Sequence, residues 1–178
     1  MKTKALTLIF FLQLLFVTTF AQKNAGLGTL LNKNAEFIFP QTPEKISVVL
    51  KVKPIFTEDA SEEQNAKWIT KSGLALYGTL GNNRSINEIW FDIPDDKFLI
   101  ISGLPYHLTL NQTTVQEALV KFKKNKVKKT MPEMYGALEG GTELEVKIGN
   151  RYVTLFFDRK NLLKSASILL GFIDPAAG

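Results

Sequence analysis

The chain has 178 residues, of which 22 are basic and 17 acidic, so its formal net charge is +5, and it contains no cysteine. Without cysteine it has no disulfides, no thiolate metal ligands and no thiol nucleophile. With a single histidine, only carboxylates remain as further ligands for zinc, and carboxylates suit calcium better. We therefore predict that the protein carries no metal and no cofactor.

The first twenty-one residues have the layout of a secretory signal peptide. Two lysines precede an almost wholly apolar stretch from Ala5 to Phe16, and Thr19-Phe20-Ala21 provides small residues for cleavage. We predict cleavage between Ala21 and Gln22 and an exported protein, either periplasmic or extracellular. The alternative is an uncleaved anchor, although the apolar stretch is short for a membrane span and Gln13 interrupts it.

The remaining 157 residues suit one domain with a sizeable core, and their first half contains three predicted elements. Alternating apolar residues over 46–52 predict a strand that ends before Pro54. A helix is predicted from about Ser61 to Lys71, with Gly73 just past its end as a cap. Ile89, Phe91 and Ile93 predict a second strand, which ends at the turn Pro94-Asp95-Asp96.

A second helix begins at Thr113 or Thr114, with Gln116 or Glu117 as the partner in a capping box. Its apolar stripe consists of Val115, Ala118, Leu119 and Phe122, which are spaced as one helical face requires.

The strongest local pattern is a hairpin. Two alternating runs, 143–148 and 151–157, are joined by Gly149-Asn150, and glycine supplies the positive φ that a two-residue turn needs. In that register Val146 lies opposite Val153 and Leu144 opposite Leu155, which places the apolar residues on one side. A last buried strand is predicted over 162–173.

These elements predict one α+β domain, 22–178, with a largely antiparallel sheet and two main helices packed on it. The order of elements repeats loosely, so two tandem modules, 22–95 and 96–178, are an alternative. Asn83-Arg84 precedes Trp90-Phe91-Asp92, as Asn150-Arg151 precedes Phe156-Phe157-Asp158. This match covers few residues, and chance is the other explanation.

Two segments carry a recurring pattern. The first runs from Gly103-Leu104-Pro105-Tyr106-His107-Leu108-Thr109-Leu110 through Asn111-Gln112-Thr113-Thr114-Val115 and the helix to Phe122, and the second is Leu155-Phe156-Phe157-Asp158 followed by Asn161-Leu162-Leu163. Together they resemble small exported bacterial modules of the β-lactamase-inhibitor and outer-membrane-assembly lipoprotein type. The chain departs from that pattern where Lys123-Lys124-Asn125-Lys126 replaces a glycine, and it lacks the cysteine of the lipoproteins. The resemblance implies an α+β module that binds another protein and has no active site.

Candidate catalytic groups are few. His107, the single histidine, has no Gly-x-Ser-x-Gly or His-Glu-x-x-His motif beside it, and an ordinary strand histidine is the simpler interpretation. Asp92, Asp95 and Asp96 lack the ligand spacing of a calcium loop. The pairs Glu62-Glu63 and Asp95-Asp96 do not provide two carboxyl groups across a cleft, since neighbouring residues point in different directions.

A lysine-rich segment and two aromatic residues are the candidate binding residues. The segment contains Lys121, Lys123, Lys124, Lys126, Lys128 and Lys129, which either form a solvated helix end or dock an acidic partner. It lacks arginine and stacking aromatics, so we do not expect nucleic acid binding. In the hairpin, Tyr152 and Phe156 lie opposite the core face, where either a second layer, favoured as a helix, covers them or they form an exposed patch.

We therefore expect an exported, non-catalytic protein that binds another protein or an envelope component, as an inhibitor or assembly factor does. No apolar run after the leader approaches eighteen residues, so stable membrane insertion is not expected. The alternatives are a secreted hydrolase that acts on envelope or dietary polymers through carboxylates, and a purely structural domain.

Overall fold

A computed structural model describes residues 22–58, 63–81, 83–94, 97–132 and 138–171. The described residues form two helices, α1 (Pro43–Leu50) and α2 (Val115–Lys121). They also form ten strands: β1 (Lys23–Asn24), β2 (Ile55–Glu58), β3 (Gln64–Ile69), β4 (Ala75–Leu80), β5 (Ile86–Asp92), β6 (Ile101–Ser102), β7 (Lys126–Thr130), β8 (Thr142–Ile148), β9 (Arg151–Phe157) and β10 (Leu163–Leu170). The predicted signal peptide lies outside the described residues.

Eight strands form one sheet in the order β2-β3-β4-β5-β10-β9-β8-β7, and every neighbouring pair in it is antiparallel. The sheet consists of two four-stranded meanders that join through their last strands, with Ile89 of β5 opposite Ile168 of β10. A helix precedes each meander along the chain. β1 and β6, which precede the two helices, pair with each other in parallel. The predicted α+β class, with a largely antiparallel sheet and two helices, is confirmed.

The strand predicted over 46–52 is wrong, because this segment forms α1. Thr42 has the extended conformation of an N-cap and its hydroxyl accepts from the Lys45 amide, while Pro43 occupies the first helical turn. Lys51, with φ of 55°, ends the helix. Val48 is 75% exposed, so the alternation of apolar residues does not correspond to burial.

The helix predicted over 61–71 is also wrong: β3 occupies Gln64–Ile69, and residues 61 and 62 lie outside the described residues. The burial of Ala66 and Trp68 follows a period of two, as a strand in a half-buried sheet requires. Gly73 is a turn residue and not a helix cap. Its φ of 90° lets the chain reverse between β3 and β4, where the Thr70 amide donates to Leu74 O.

The helix, the hairpin and the last strand predicted for the second half are confirmed. Thr114 caps α2 and forms a complete capping box with Glu117. The predicted stripe faces the core, because Val115, Ala118 and Phe122 are buried and Leu119 packs against them. The hairpin has the predicted register, with Val146 opposite Val153 and Leu144 opposite Leu155. β10 supplies the predicted last buried strand.

Both helices contribute to a single hydrophobic core that runs under both meanders. The core includes Ile46 of α1, Ala118 of α2, Phe122 at the C-cap of α2, and apolar residues of β3, β4, β5, β8, β9 and β10. None of the helices in the described part of the chain is both long enough and apolar enough to cross a membrane.

Candidate binding surface

The two faces of the eight-stranded sheet differ in what covers them. On the face that we call the core face, a row of opposed residues crosses seven strands: Ala66, Gly78, Ile89, Ile168, Val153, Val146 and Val127. The first six of these residues are buried. α1 lies on this face, because Trp68, which points the same way as Ala66, donates from Nε1 to Ser47 Oγ at 2.9 Å.

The opposite face, which we call the outer face, carries two continuous rows of opposed residues across all eight strands. The first row is Ile55, Lys67, Tyr77, Trp90, Ser167, Thr154, Glu145 and Lys128. The second row is Thr57, Asn65, Thr79, Glu88, Leu169, Tyr152, Lys147 and Lys126. The outer face is therefore a mixture of aromatic, aliphatic, hydroxyl and charged side chains.

Solvent reaches much of the outer face. Ile55 is 58% exposed and Leu169 is 39% exposed, and Tyr77, Trp90 and Tyr152 are partly exposed. Both helices of the described residues contribute to the core below the sheet, so the favoured expectation that a helix covers the outer face is wrong for this part of the chain. Of the two residues named in that prediction, Tyr152 is partly exposed whereas Phe156 is buried, so the exposed-patch alternative holds for Tyr152 only.

Neighbouring side chains fix the orientation of these aromatic rings. Lys67 Nζ lies 4.8 Å from the centre of the Tyr77 ring, and Lys147 Nζ lies 5.4 Å from that of Tyr152. The Trp90 indole donates from Nε1 to Glu88 Oε1 at 2.9 Å. Rings that are held in this way lose little conformational freedom when they contact a partner.

Phe156 also belongs to the outer face, where it lies opposite Glu143 and Ser165, but it is buried there. Only 5% of this residue is exposed, because its ring stacks on Trp90 with centres 5.6 Å apart. The two rings form part of the wall of a pocket of about 190 Å³, which is also lined by Asp92, Asn111, Lys164 and Ser165. Lys164 is held there by the side chains of Asn111 and Asp158. Phe156 therefore supports Trp90 and does not provide a contact surface of its own.

The lysine-rich segment is divided between a helix end, a turn and an edge strand. Lys121 ends α2, Lys123 and Lys124 lie in the turn, and Lys126, Lys128 and Lys129 belong to β7. All six are exposed. Of the six, only Lys126 and Lys128 project from the outer face, since Lys129 lies opposite Leu144, a core-face residue. The structure thus places Lys126 and Lys128 on the same face of the sheet as Tyr152, and the other four lysines do not project from that face.

Three contributors to the outer face were missed as binding residues in the sequence: Tyr77, Trp90 and Lys147. Tyr77 lies on β4, which follows the segment predicted as a helix, so its face could not be assigned. Trp90 lies between the predicted core residues Ile89 and Phe91, so the alternation in the sequence already places it on the face opposite the core. Lys147 lies in the correctly predicted hairpin, where its position beside Tyr152 follows from the register.

The single histidine lies in a turn and not in a strand, which corrects the sequence interpretation. His107 is exposed, with φ of 54°, in a short 3-10 segment, Pro105–His107. It lines an open groove of about 510 Å³ beside α2, together with Thr113, Gln116 and Glu117. Asp92 receives a hydrogen bond from the Ile93 amide, whereas Glu62, Asp95 and Asp96 lie outside the described residues. The described residues contain no group of three or more metal-ligating side chains.

A polar cluster connects the two halves of the chain at another part of the core. Arg151 Nη1 donates to Glu36 Oε2 at 2.8 Å, and both side chains are mostly buried. The Asn32 side chain donates to the same carboxylate, and these two interactions lower the pKa of Glu36. Tyr106 lies close to Arg151, and burial raises the pKa of its hydroxyl. Among the described residues, that hydroxyl and Arg151 Nε have no hydrogen-bond partner.

Comparison with protein-family models, with characterised proteins and with solved structures finds no match to this chain.

Proposed function

We propose that this chain is an exported, non-catalytic binding protein whose outer face recognises another protein. The observation that carries the proposal is the outer face itself, an eight-stranded surface with partly exposed aromatic residues near its centre. Tyrosine and tryptophan are enriched among the residues that dominate binding energy, because they bury a large area with few rotatable bonds. Export is proposed from the leader sequence.

A protein partner fits this surface better than a small ligand does. Small ligands bind in concave pockets that enclose most of their surface. The partly exposed residues Tyr77, Trp90 and Tyr152 instead lie along β4, β5 and β9, with hydroxyl and charged residues between and around them. A surface of this breadth suits the apolar centre and polar rim of a protein interface.

We further propose that the chain consists of two tandem modules, each with a capped helix followed by four antiparallel strands. In each half a 3-10 segment, Gly28–Leu30 or Pro105–His107, precedes a helix that a threonine caps. Residues at each cap also form an isolated bridge near the start of that half's last strand, Gln41 with Ile86 and Thr114 with Leu162. In the short sequence match, β5 of the first half corresponds to β9 of the second half. In the order of elements, by contrast, β5 corresponds to β10, because each is the last strand of its half.

The proposed face is tested by placing a photo-crosslinking amino acid at single positions of the full chain in the cells that make it. Tyr152 and Thr154 are outer-face positions. Val48 and Val120, which are 75% and 57% exposed on the two helices, are matched controls on the opposite side. We expect one adduct of defined mass from the outer-face positions and none from the controls.

The captured protein is then produced separately and its affinity for the exported chain is measured. A dissociation constant that rises at least tenfold on Tyr152→Ala supports the proposal, since a buried tyrosine at an interface contributes about 2 kcal/mol or more. Adducts that form from Val48 or Val120 alone would show that the partner binds the helices and would reject the outer face.

A further inference from the structure

We propose that one corner of the outer face, formed by Lys126, Lys147 and Tyr152, binds a carboxylate side chain in an acidic segment of the partner protein. This inference rests on the proposed function, because it specifies the chemistry of the partner that the outer face binds. The observation behind it is the cross-strand register of Tyr152, Lys147 and Lys126, the last three residues of the second row on the outer face.

The two lysines lie directly opposite each other on adjacent strands. Lys126 of the edge strand β7 pairs with Lys147 of β8, and both are exposed on the outer face. Side chains at opposed positions of an antiparallel pair have Cβ atoms about 4.5–5.5 Å apart. Two ammonium groups on such neighbours can therefore reach one carboxylate from both sides.

This arrangement is unfavourable in the absence of an anion. Like charges directly opposite each other in a sheet destabilise it. The nearest acidic side chain in the register is Glu145, which lies opposite Lys128, so three lysines surround one glutamate. None of the three lysines forms an ion pair with a described residue. A bound carboxylate would remove the repulsion, which gives this corner a preference for acidic ligands.

Tyr152 connects this corner to the rest of the outer face. It lies opposite Lys147 on β9, with Lys147 Nζ 5.4 Å from its ring, and opposite Leu169 on β10. A partner that contacts the central aromatic residues is thus brought to the lysines in the same row. This continuity favours a protein segment over a free anion or a lipid head group.

The inference is tested with purified exported protein labelled with ¹⁵N and two ten-residue peptides, one of glutamate and one of glutamine. We expect the glutamate peptide to shift the amide signals of Lys126, Lys147 and Tyr152. The double variant K126Q/K147Q should weaken this binding at least tenfold. The control K123Q/K124Q removes the same charge from the adjacent turn and should weaken it less than threefold. Equal losses in the two variants would show non-specific attraction and would overturn the inference.

The repulsion between Lys126 and Lys147 can be tested separately, through the melting temperature of the protein. K126Q/K147Q should raise the melting temperature by about 1–3 °C at low salt, and the gain should vanish at high salt. An unchanged or lower melting temperature at low salt would contradict it. Vesicles of anionic phosphatidylglycerol provide a further control: binding of the protein to vesicles, but not to the glutamate peptide, would assign the corner to a membrane surface.

Failure of this inference and failure of the proposed function give different results. If K126Q/K147Q leaves the crosslinked adduct at Thr154 at full yield, the outer face binds a partner but the lysine corner does not contribute. If the outer-face positions yield no adduct in the unmodified chain, the proposed function itself fails.

Discussion

Arg151 and Glu36 form an ion pair, with Nη1 and Oε2 2.8 Å apart, although 115 residues separate them in the chain. Arg151 begins β9 in the second half, and Glu36 lies before α1 in the first half. The side chains are only 20% and 25% exposed, so water screens their interaction less than it screens an ion pair at the surface. The pair therefore holds the two halves together with a contribution that depends on pH.

Replacing Glu36 with Gln should destabilise the protein by about 1–3 kcal/mol at pH 7, because it weakens hydrogen bonds to a charged partner. The pKa of Glu36 is below its ordinary value of 4.5 in the folded protein, with hydrogen bonds from Asn32 and Arg151 as the main causes. Its contribution is therefore complete above pH 4.5 or so and is lost as the pH falls through the lowered pKa. Urea denaturation of both proteins between pH 7 and pH 3 should show a difference that shrinks towards acid.

The matched control is Glu139→Gln, which removes an exposed ion pair with Arg159. Such pairs contribute about 0–1 kcal/mol, so this variant should unfold almost as the unmodified protein does at every pH. A difference for Glu36→Gln that stays constant over the whole pH range would show that ionisation of Glu36 is not involved.

The apolar face of α2 is tested by Phe122→Ala. Phe122 is 3% exposed, and its ring packs edge-on against Tyr106 with centres 5.6 Å apart. Truncation should cost about 3–5 kcal/mol of unfolding free energy, because it removes buried area and leaves a cavity. Val120→Ala on the exposed side of the same helix should change the free energy by about 0.5 kcal/mol or less. Similar losses in the two variants would mean that the helix face is wrongly assigned.

The attachment of α1 to the core face is tested by Ser47→Ala. This change removes the acceptor of the Trp68 indole N–H, and Trp68 is fully buried. A buried donor that has lost its partner costs about 1–3 kcal/mol. We expect that loss in urea denaturation, together with a shifted tryptophan fluorescence maximum. A variant as stable as the unmodified protein would show that the hydrogen bond does not stabilise α1 on the sheet.

The two halves should depend on each other for folding. Cutting the sheet between β5 and β10 leaves each half with an open edge on a strand that carries core residues, Ile89 or Ile168. The parallel pair β1–β6 also crosses the division. We expect fragments 22–95 and 96–178 to form a one-to-one complex with the circular dichroism spectrum of the intact protein. Two fragments that fold separately as stable monomers would contradict this dependence.

Helix α2 and the β8–β9 hairpin could be predicted from the sequence because their local signals agree with their tertiary environment. Thr114 and Glu117 provide a complete capping box, and Gly149-Asn150 fixes the turn and hence the register of β8 and β9. Knowledge of the register was enough to assign Tyr152 to the face opposite the core.

The first half was predicted wrongly where one local pattern conflicted with another. The alternation over 46–52 suggested a strand, whereas Thr42-Pro43-Glu44 is an N-terminal helix signal, and the cap determined the structure. The segment around Trp68 contains good helix formers, but pairing with β2 and β4 and burial of Trp68 favour a strand. The central pairing of β5 with β10 is a long-range contact, so no local pattern predicts it, and the full outer face could not be assembled without it.

The central claim, recognition of a partner protein by the outer face, is tested most directly by the affinity of the purified partner for two variants of matched chemistry. Tyr77→Ala and Tyr106→Ala each remove a tyrosine ring, the first from the outer face and the second from the core beside Arg151. Isothermal titration of folded protein should give at least a tenfold higher dissociation constant for Tyr77→Ala and an unchanged one for Tyr106→Ala. If Tyr77→Ala leaves the affinity unchanged and the partner crosslinks to positions outside the outer face, the claim that the outer face recognises the partner is contradicted.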